Sequence, residues 1–498
     1  MVKKYNLLTS IAIYLTIATV QPLMGQTADI PDNEITAAVN NHLLVDETVS
    51  FHMVQVTTNE GIVILSGTVS HLLARDRAAR IAESIKGVRS VVNNLEISPV
   101  QRSDMEIRTD VLTALAVDPA TELYDVTAAA HNGVVELNGT VQSWAEKRLC
   151  ENVAKSVKGI QKIQNNITVN FKGERPESEI KAEIQRRLRL DPYIPHQLLD
   201  IRVEGGIVTL EGAVGSAVEK TYTRNNCLVA GVEGVDVSDV KVTPRALEEM
   251  EKRSKYVLKS DEKIREAVND ALLWDPRTIS FDIDVTVSNS IVTLAGEVDN
   301  LQAKRAAAHD ARNTIGVIRV NNLIKVSPPK VTDREIESNV QSALLWDPVV
   351  ERHEIDAVVR NKKVFLYGAV DSYFEKNRAE DVASRIKGVA EVDNFLTVNI
   401  VSAPPTDQEI KSNIENQLRW NPYIEKNEID VEVQNGVATL KGKVDTYFER
   451  DEAIREAFEG GADSVKSKLK VKDSRDNNDE EEYRKEDEYF PLYYYYMN

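Results

Sequence analysis

The feature that most constrains this chain is a five-residue tag, apolar-x-Gly-x-Val, that returns six times at a nearly fixed interval. It reads Leu65-Ser66-Gly67-Thr68-Val69, Leu137-Asn138-Gly139-Thr140-Val141, Leu210-Glu211-Gly212-Ala213-Val214, Leu294-Ala295-Gly296-Glu297-Val298, Leu366-Tyr367-Gly368-Ala369-Val370 and Leu440-Lys441-Gly442-Lys443-Val444. Successive tag glycines are 72, 73, 84, 72 and 74 residues apart. Such a period means that one small unit is repeated and stacked. A second glycine follows about twenty residues later as Gly87, Gly159, Gly234, Gly316 and Gly388. The sixth copy departs with Gly460-Gly461-Ala462, which predicts a poorly formed final strand there.

Each unit opens on an acid or hydroxyl that suits a helix N-cap, such as Ser260-Asp261 or Thr332-Asp333. In the first unit Ile35, Ala38, Val39 and Leu43 then form one apolar stripe at helical spacing. Asp118-Pro119, Asp191-Pro192, Asp275-Pro276, Asp347-Pro348 and Asn421-Pro422 end the helix, because proline disfavours helical backbone in the residue before it. Two alternating strands come next, as in Ile429, Val431 and Val433. Asn132-Gly133, Gly205-Gly206, Asn435-Gly436 and Asn289-Ser290 join them as hairpin turns that need positive φ. The tag glycine is read as a bulge or a close backbone approach to the following helix. A second helix carries Ala78, Ile81, Ala82 and Ile85, with Ala379, Val382, Ala383 and Ile386 in the fifth copy. A last strand, such as Val389 to Val398, follows a crossover helix and is therefore expected parallel. The predicted class is α+β: six α-β-β-α-β modules, each a three-stranded mixed sheet with two helices on one face.

This pattern resembles the BON domain (bacterial OsmY and nodulation). The Asp-Pro helix stop, the hairpin ending in Leu-x-Gly-x-Val and the Lys-Gly-Val before the last strand carry the resemblance. It covers modules at 31–99, 103–171, 176–244, 260–328, 332–400 and 406–472. It implies a multi-repeat periplasmic OsmY-like protein tied to osmotic or envelope stress, some relatives binding anionic phospholipid through a first helix. Known relatives carry fewer copies, so no single relative's partner transfers directly.

The ends differ from the modules. Residues 1–25 read as a signal peptide: Lys3 and Lys4, an apolar run from Leu7 to Val20, Pro22 and the small Gly25. Export places the chain in the periplasm. Residues 245–259 form a charged linker that divides two triplets. The tail, 473–498, carries nine acids and three bases between Asp473 and Glu488, then Phe490 and Tyr493 to Tyr496. It reads as a solvated end, or as a docking peptide that adds an edge strand. Cys150 and Cys227 read as separate buried thiols or a bridge between neighbouring modules.

No chemistry stands out. The seven histidines occupy different module positions, and neither HExxH, CxxC, a phosphate loop nor a Gly-x-Ser-x-Gly elbow occurs. The formal charge of −18 lacks the basic balance of a nucleic-acid binder, though it leaves room for a basic patch on one module. The expectation is a protein without catalytic residues, cofactor or metal. Trp274, Trp346 and Trp420 share one place at the end of the first helix. They read either as packing against a core or a neighbouring module, or as a lipid or partner contact. Trp144, Tyr373 and Tyr447 share a second place, filled elsewhere by Leu72 and Leu301, which reads as core. The expected function is binding of the cell envelope, phospholipid or other components; the rival is a periplasmic chaperone-like or scaffold protein that binds other exported proteins.

Overall fold

The computed structural model describes residues 30–49, 53–171, 173, 175–191, 193–243, 260–350, 355–399, 405–424, 429–444, 447–471 and 481–484. The expected signal peptide at 1–25, the expected linker at 245–259 and most of the tail lie outside the described residues.

The second module shows how each unit is built. Its first helix, Asp104–Val117, starts in a capping box, with Ser103 and Glu106 each satisfying the other's backbone N–H. It stops at Asp118, whose ψ of 119° is the extended state that Pro119 imposes. The hairpin strands Asp125–His131 and Val134–Val141 turn at Asn132 and Gly133, both with positive φ. The second helix, Trp144–Lys155, returns the chain to a third strand, Lys162–Asn165 and Thr168–Val169. The second hairpin strand is central in every module. It lies antiparallel to the first and parallel to the third, as a crossover helix requires. Ile107 and Val111 of the first helix, Val135 and Leu137 of the central strand, and Leu149 and Ala154 of the second helix close the core. Each large side chain so buried contributes ~1.5–3 kcal/mol.

A long-range clamp ties the first helix to the hairpin. The Asp104 carboxylate accepts the backbone N–H groups of Asn132 and Gly133 at 2.9 and 3.1 Å. Asp32, Asp261, Asp333 and Asp407 repeat this on their own turns, and Glu177 reaches Gly205. The two hydrogen bonds also hold the Asp104 carboxyl below its ordinary range.

The glycine expectations change in three respects. A side chain on Gly67, Gly139 or Gly212 would overlap the carbonyl oxygen of Met53, Asp125 or Leu198, and on Gly296 a Cβ would lie 2.7 Å from that of Asp282. The close approach is thus to the first hairpin strand, not to the following helix. In the third module the second glycine is Gly231, with φ +89° against Ile180, rather than Gly234. Gly87 sits in the same way against Ile35, and Gly159 against Ile107. In the sixth, Gly461 at φ +100° closes the helix, and the final strand Ser464–Val471 is unbroken, in register with Val437 to Val444. The last strands of modules 2, 4 and 5 are the interrupted ones. Within the tail, Glu481–Arg484 pairs antiparallel with Ser464 to Ser467 as a fourth strand.

The modules pack far beyond their chain neighbours. Modules 1, 2 and 3 close a ring: Lys155 of module 2 meets Asp76 of module 1 at 3.0 Å, the Trp144 indole N–H donates to the Val232 carbonyl of module 3 at 2.8 Å, and Thr221 of module 3 donates to Glu83 of module 1 at 3.3 Å. A second layer faces it, pairing 1 with 6, 2 with 5 and 3 with 4. In that layer module 4 meets module 5 as module 2 meets module 3: Leu301 N–H donates to the Val389 carbonyl at 3.3 Å.

Candidate functional site at the first-helix ends

Trp346 and Trp420 point into the facing module. Both are buried, Trp346 in one apolar core that runs through modules 2 and 5, Trp420 in the core of module 1. Their carbonyls accept the backbone N–H groups of Lys158 and Lys86, at 2.8 and 2.9 Å. The 2·5 contact is reciprocal, for Lys387 N–H donates to the Val117 carbonyl at 2.8 Å. Trp274 is half-buried, and the Arg187 guanidinium of module 3 lies 4.5 Å from its ring centroid. The second aromatic place also faces outward from its own module: Trp144 reaches module 3, and Leu72 and Leu301 enter the merged core of modules 2 and 5.

Charge is buried along these joints. Arg378 donates to Asp347 at 2.7 Å and to Asp381 at 3.1 Å, with His71 of module 1 close enough to feel both charges. Arg77 bridges Asp46 of its own module, at 2.7 Å, and Glu459 of module 6, at 2.5 Å. Gln302 of module 4 donates to Asp118 of module 2 at 3.1 Å. Burial pushes His71 down to about 4 and His309 down to about 3, and Glu219 up to about 8. Arg77 and Glu459, and Gln302 and Asp118, pair across joints, whereas Arg378, Asp347 and Asp381 pair within module 5. Among the described residues no three His, Cys, Asp or Glu side chains gather as a metal site requires. Cys150 and Cys227 are buried free thiols in different cores.

Two tyrosines that share a Pro-Tyr-Ile context in the sequence meet in space. Tyr193 and Tyr423 stand edge to face at 5.1 Å, with Phe448 against both, joining modules 3 and 6.

What the first-helix ends offer to solvent is leucine. Leu44, Leu273 and Leu345 each precede the last helical residue and are 63%, 57% and 54% exposed. Sequence reasoning passed over them because Trp274 and Trp346, which follow Leu273 and Leu345, are the conspicuous residues, and because Leu44 is followed by Val45 with no such marker. Module 5 adds an exposed aromatic row on its outer sheet face, where Phe395 stacks near Tyr367 at 5.5 Å and Phe365 at 6.5 Å. No helix among the described residues is long and apolar enough to cross a membrane.

Comparison with known proteins agrees with this architecture. The sequence profile of the BON domain matches residues 31–99, 103–170, 176–244, 260–328, 332–400 and 406–473. Osmotically-inducible protein Y of Escherichia coli (strain K12) is 27% identical over 143 residues, which cover 27% of this chain and 71% of that protein. Outer membrane lipoprotein DolP of Haemophilus influenzae is 34% identical over 110 residues, 21% of this chain and 56% of that protein. The 21 kDa hemolysin of Actinobacillus pleuropneumoniae is 27% identical over 150 residues, 29% of this chain and 70% of that protein.

Proposed function

The chain belongs to the BON domain family, and on that premise we propose that it is a non-enzymatic periplasmic repeat protein that binds the cell envelope, phospholipid or other envelope components, in osmotic or envelope stress. The observation that carries this reading is the set of exposed leucines, Leu44, Leu273 and Leu345, repeated at one place in three modules. Each presents an apolar tip at the end of a helix, where a lipid interface accepts it. Several weak contacts on one chain raise the effective concentration of the rest. The names of two relatives, an osmotically inducible protein and an outer membrane lipoprotein, support the compartment and the stress, and so does the leader pattern of residues 1–25. In this reading a contact through Trp346 or Trp420 requires the paired modules to separate, whereas Trp274 is already half open.

The test is sedimentation of the mature chain with anionic and neutral vesicles over a salt series. Replacing Leu44, Leu273 and Leu345 by Gln is expected to weaken binding at least fivefold with the fold intact by circular dichroism. Unchanged binding would remove these residues from the reading.

A second reading has its own observation. The aromatic row Phe365, Tyr367 and Phe395 suits an extended apolar protein segment, as a chaperone-like or scaffold protein for exported proteins would present. Suppression of aggregation of an unfolded envelope protein, lost on changing Tyr367 and Phe395 to Ser, is the outcome it expects.

A further inference from the structure

In three modules the ninth residue after the tag glycine, on the second helix, is answered from a neighbouring module. Asp76 of module 1 meets Lys155 of module 2 at 3.0 Å, Thr221 of module 3 donates to Glu83 of module 1 at 3.3 Å, and Arg305 of module 4 donates to Glu380 of module 5 at 2.6 Å. The answering side chains stand twelve or sixteen residues after their own tag glycine.

Module 2 has Arg148 at this place, and module 3 offers Arg224 and Leu228 at the two answering places. Where Arg305 finds a glutamate, Arg148 finds a second arginine. Its Nε and Nη1 are buried and donate to no acceptor among the described residues. One helical turn earlier the Trp144 indole is bonded to the Val232 carbonyl, so this side of the helix is held against module 3. Arg187 of module 3 adds a third positive charge, fixed by Glu183 at 2.8 Å and by the Trp274 ring of module 4, whose centroid is 4.5 Å away. The acids nearby are already taken. Asp275 accepts from Arg277 at 2.9 Å, Glu151 from Lys155 at 2.9 Å and Asn165 at 3.0 Å, and Glu183 is shared by Arg187 and Arg175. Burial, then Arg187 and Arg224, lower Arg148 to about 10, which leaves it charged near neutral pH.

We propose that this joint binds a small tetrahedral oxyanion, inorganic phosphate or sulfate, between Arg148 of module 2 and Arg224 of module 3. A buried guanidinium without an acceptor is strongly destabilising, and a charged acceptor removes that cost. An oxyanion matches the fork of guanidinium N–H groups and accepts from two arginines at once. It supplies the negative charge that Glu380 supplies at the joint of modules 4 and 5. Arg224 is exposed and Arg148 as a whole is half-buried, so the ion reaches the pair from solvent. Bound there, it ties module 2 to module 3 and holds their ring closed.

The experiment titrates the full chain with sodium phosphate and with sodium sulfate by calorimetry, at constant ionic strength set with sodium chloride. One site per chain is expected, and the tighter of the two anions is the one the joint is shaped for. Arg148→Gln should weaken binding at least tenfold. Arg224→Glu, at an exposed position, restores the acid that module 5 has as Glu380. It should abolish binding and raise the melting temperature of the anion-free chain, because Arg148 then has a fixed acceptor. Neither anion bound by the parent chain would overturn the proposal and leave Arg148 hydrated by ordered water. Binding that Arg148→Gln and Arg224→Glu both leave unaltered would also overturn it. Vesicle binding through Leu44, Leu273 and Leu345 uses none of these arginines, so the envelope reading stands or falls separately.

Discussion

The backbone N–H of Lys158 donates to the carbonyl of Trp346 at 2.8 Å, joining the second and fifth modules. Lys387 and Val117 make the mirror contact, also 2.8 Å. Each helix end therefore places its last carbonyl on the glycine loop of the facing module. An orphan carbonyl at a helix terminus needs a donor, and a loop N–H from 188 residues away supplies it here, as the separation of Trp346 from Lys158 shows. The Trp346 side chain fills the shared core beside this bond.

That geometry predicts the cost of removing each tryptophan. Trp346→Ala should lose about 3–5 kcal/mol in chemical denaturation, as large-to-small changes in cores do. It should also split the unfolding transition, since modules 2 and 5 share that core. Trp274→Ala, at a half-exposed ring under Arg187, should lose only about 1 kcal/mol, the scale of a cation–π contact. Equal losses at the two sites would contradict the placement.

The tag glycines give a second prediction. Gly139→Ala places a methyl on the Asp125 carbonyl in a backbone conformation that favours glycine, and should destabilise its module by about 3 kcal/mol or more. Gly173→Ala also has positive φ but open space around it, and should cost about 1 kcal/mol. Melting curves of the two variants measure the difference.

Much of the module was legible because its contacts are short-range and periodic. Helix stripes, Asp-Pro stops and Asn-Gly turns report on residues within one turn or one hairpin. The clamp from Asp104 to Asn132 and Gly133 was missed although it spans only 28 and 29 residues, because an acid at a helix start already has a sufficient explanation as a cap. The misplaced second glycine in module 3 has a similar cause: Gly231 and Gly234 are both followed by Val, and only the contact with Ile180 separates them. The double layer was not legible. Its contacts join residues such as Arg77 and Glu459, 382 apart, and no spacing rule links an arginine to a glutamate five modules away. Of the tail, only Glu481–Arg484 lies among the described residues, and it forms an added edge strand, the alternative to a solvated end.

The thiols supply a third prediction. Burial pushes both Cys150 and Cys227 up to about 12, so neither is a thiolate near neutral pH. The native chain should react with a thiol reagent at less than a hundredth of the rate of a free cysteine, and two equivalents should react at once in denaturant. Fast native reaction at either site would show that its core opens readily.

The last prediction concerns acid. His71 caps the second helix of module 1, its ring Nδ1 accepting the Ala74 N–H at 3.0 Å. A ring protonated at that nitrogen cannot accept, and burial holds the group down to about 4, with Asp347 opposing and Arg378 adding to the shift. In the unfolded chain it titrates at its ordinary value of 6.5. Between those values the unfolded state binds the proton and the folded state does not. The contribution is therefore complete above about pH 6.5 and is lost as pH falls toward 4, by roughly 2–3 kcal/mol. His309, also held down by burial and by Arg277, adds in the same direction. Glu219 acts oppositely: raised to about 8, it favours the folded state at low pH and loses that preference as pH rises from its ordinary 4.5 through 8. Urea unfolding at pH 7 and pH 5 should show the histidine loss in the parent chain and a smaller one in His71→Asn, which keeps a cap acceptor that cannot titrate. An unchanged pH dependence in that variant would mean that His71 does not carry the effect.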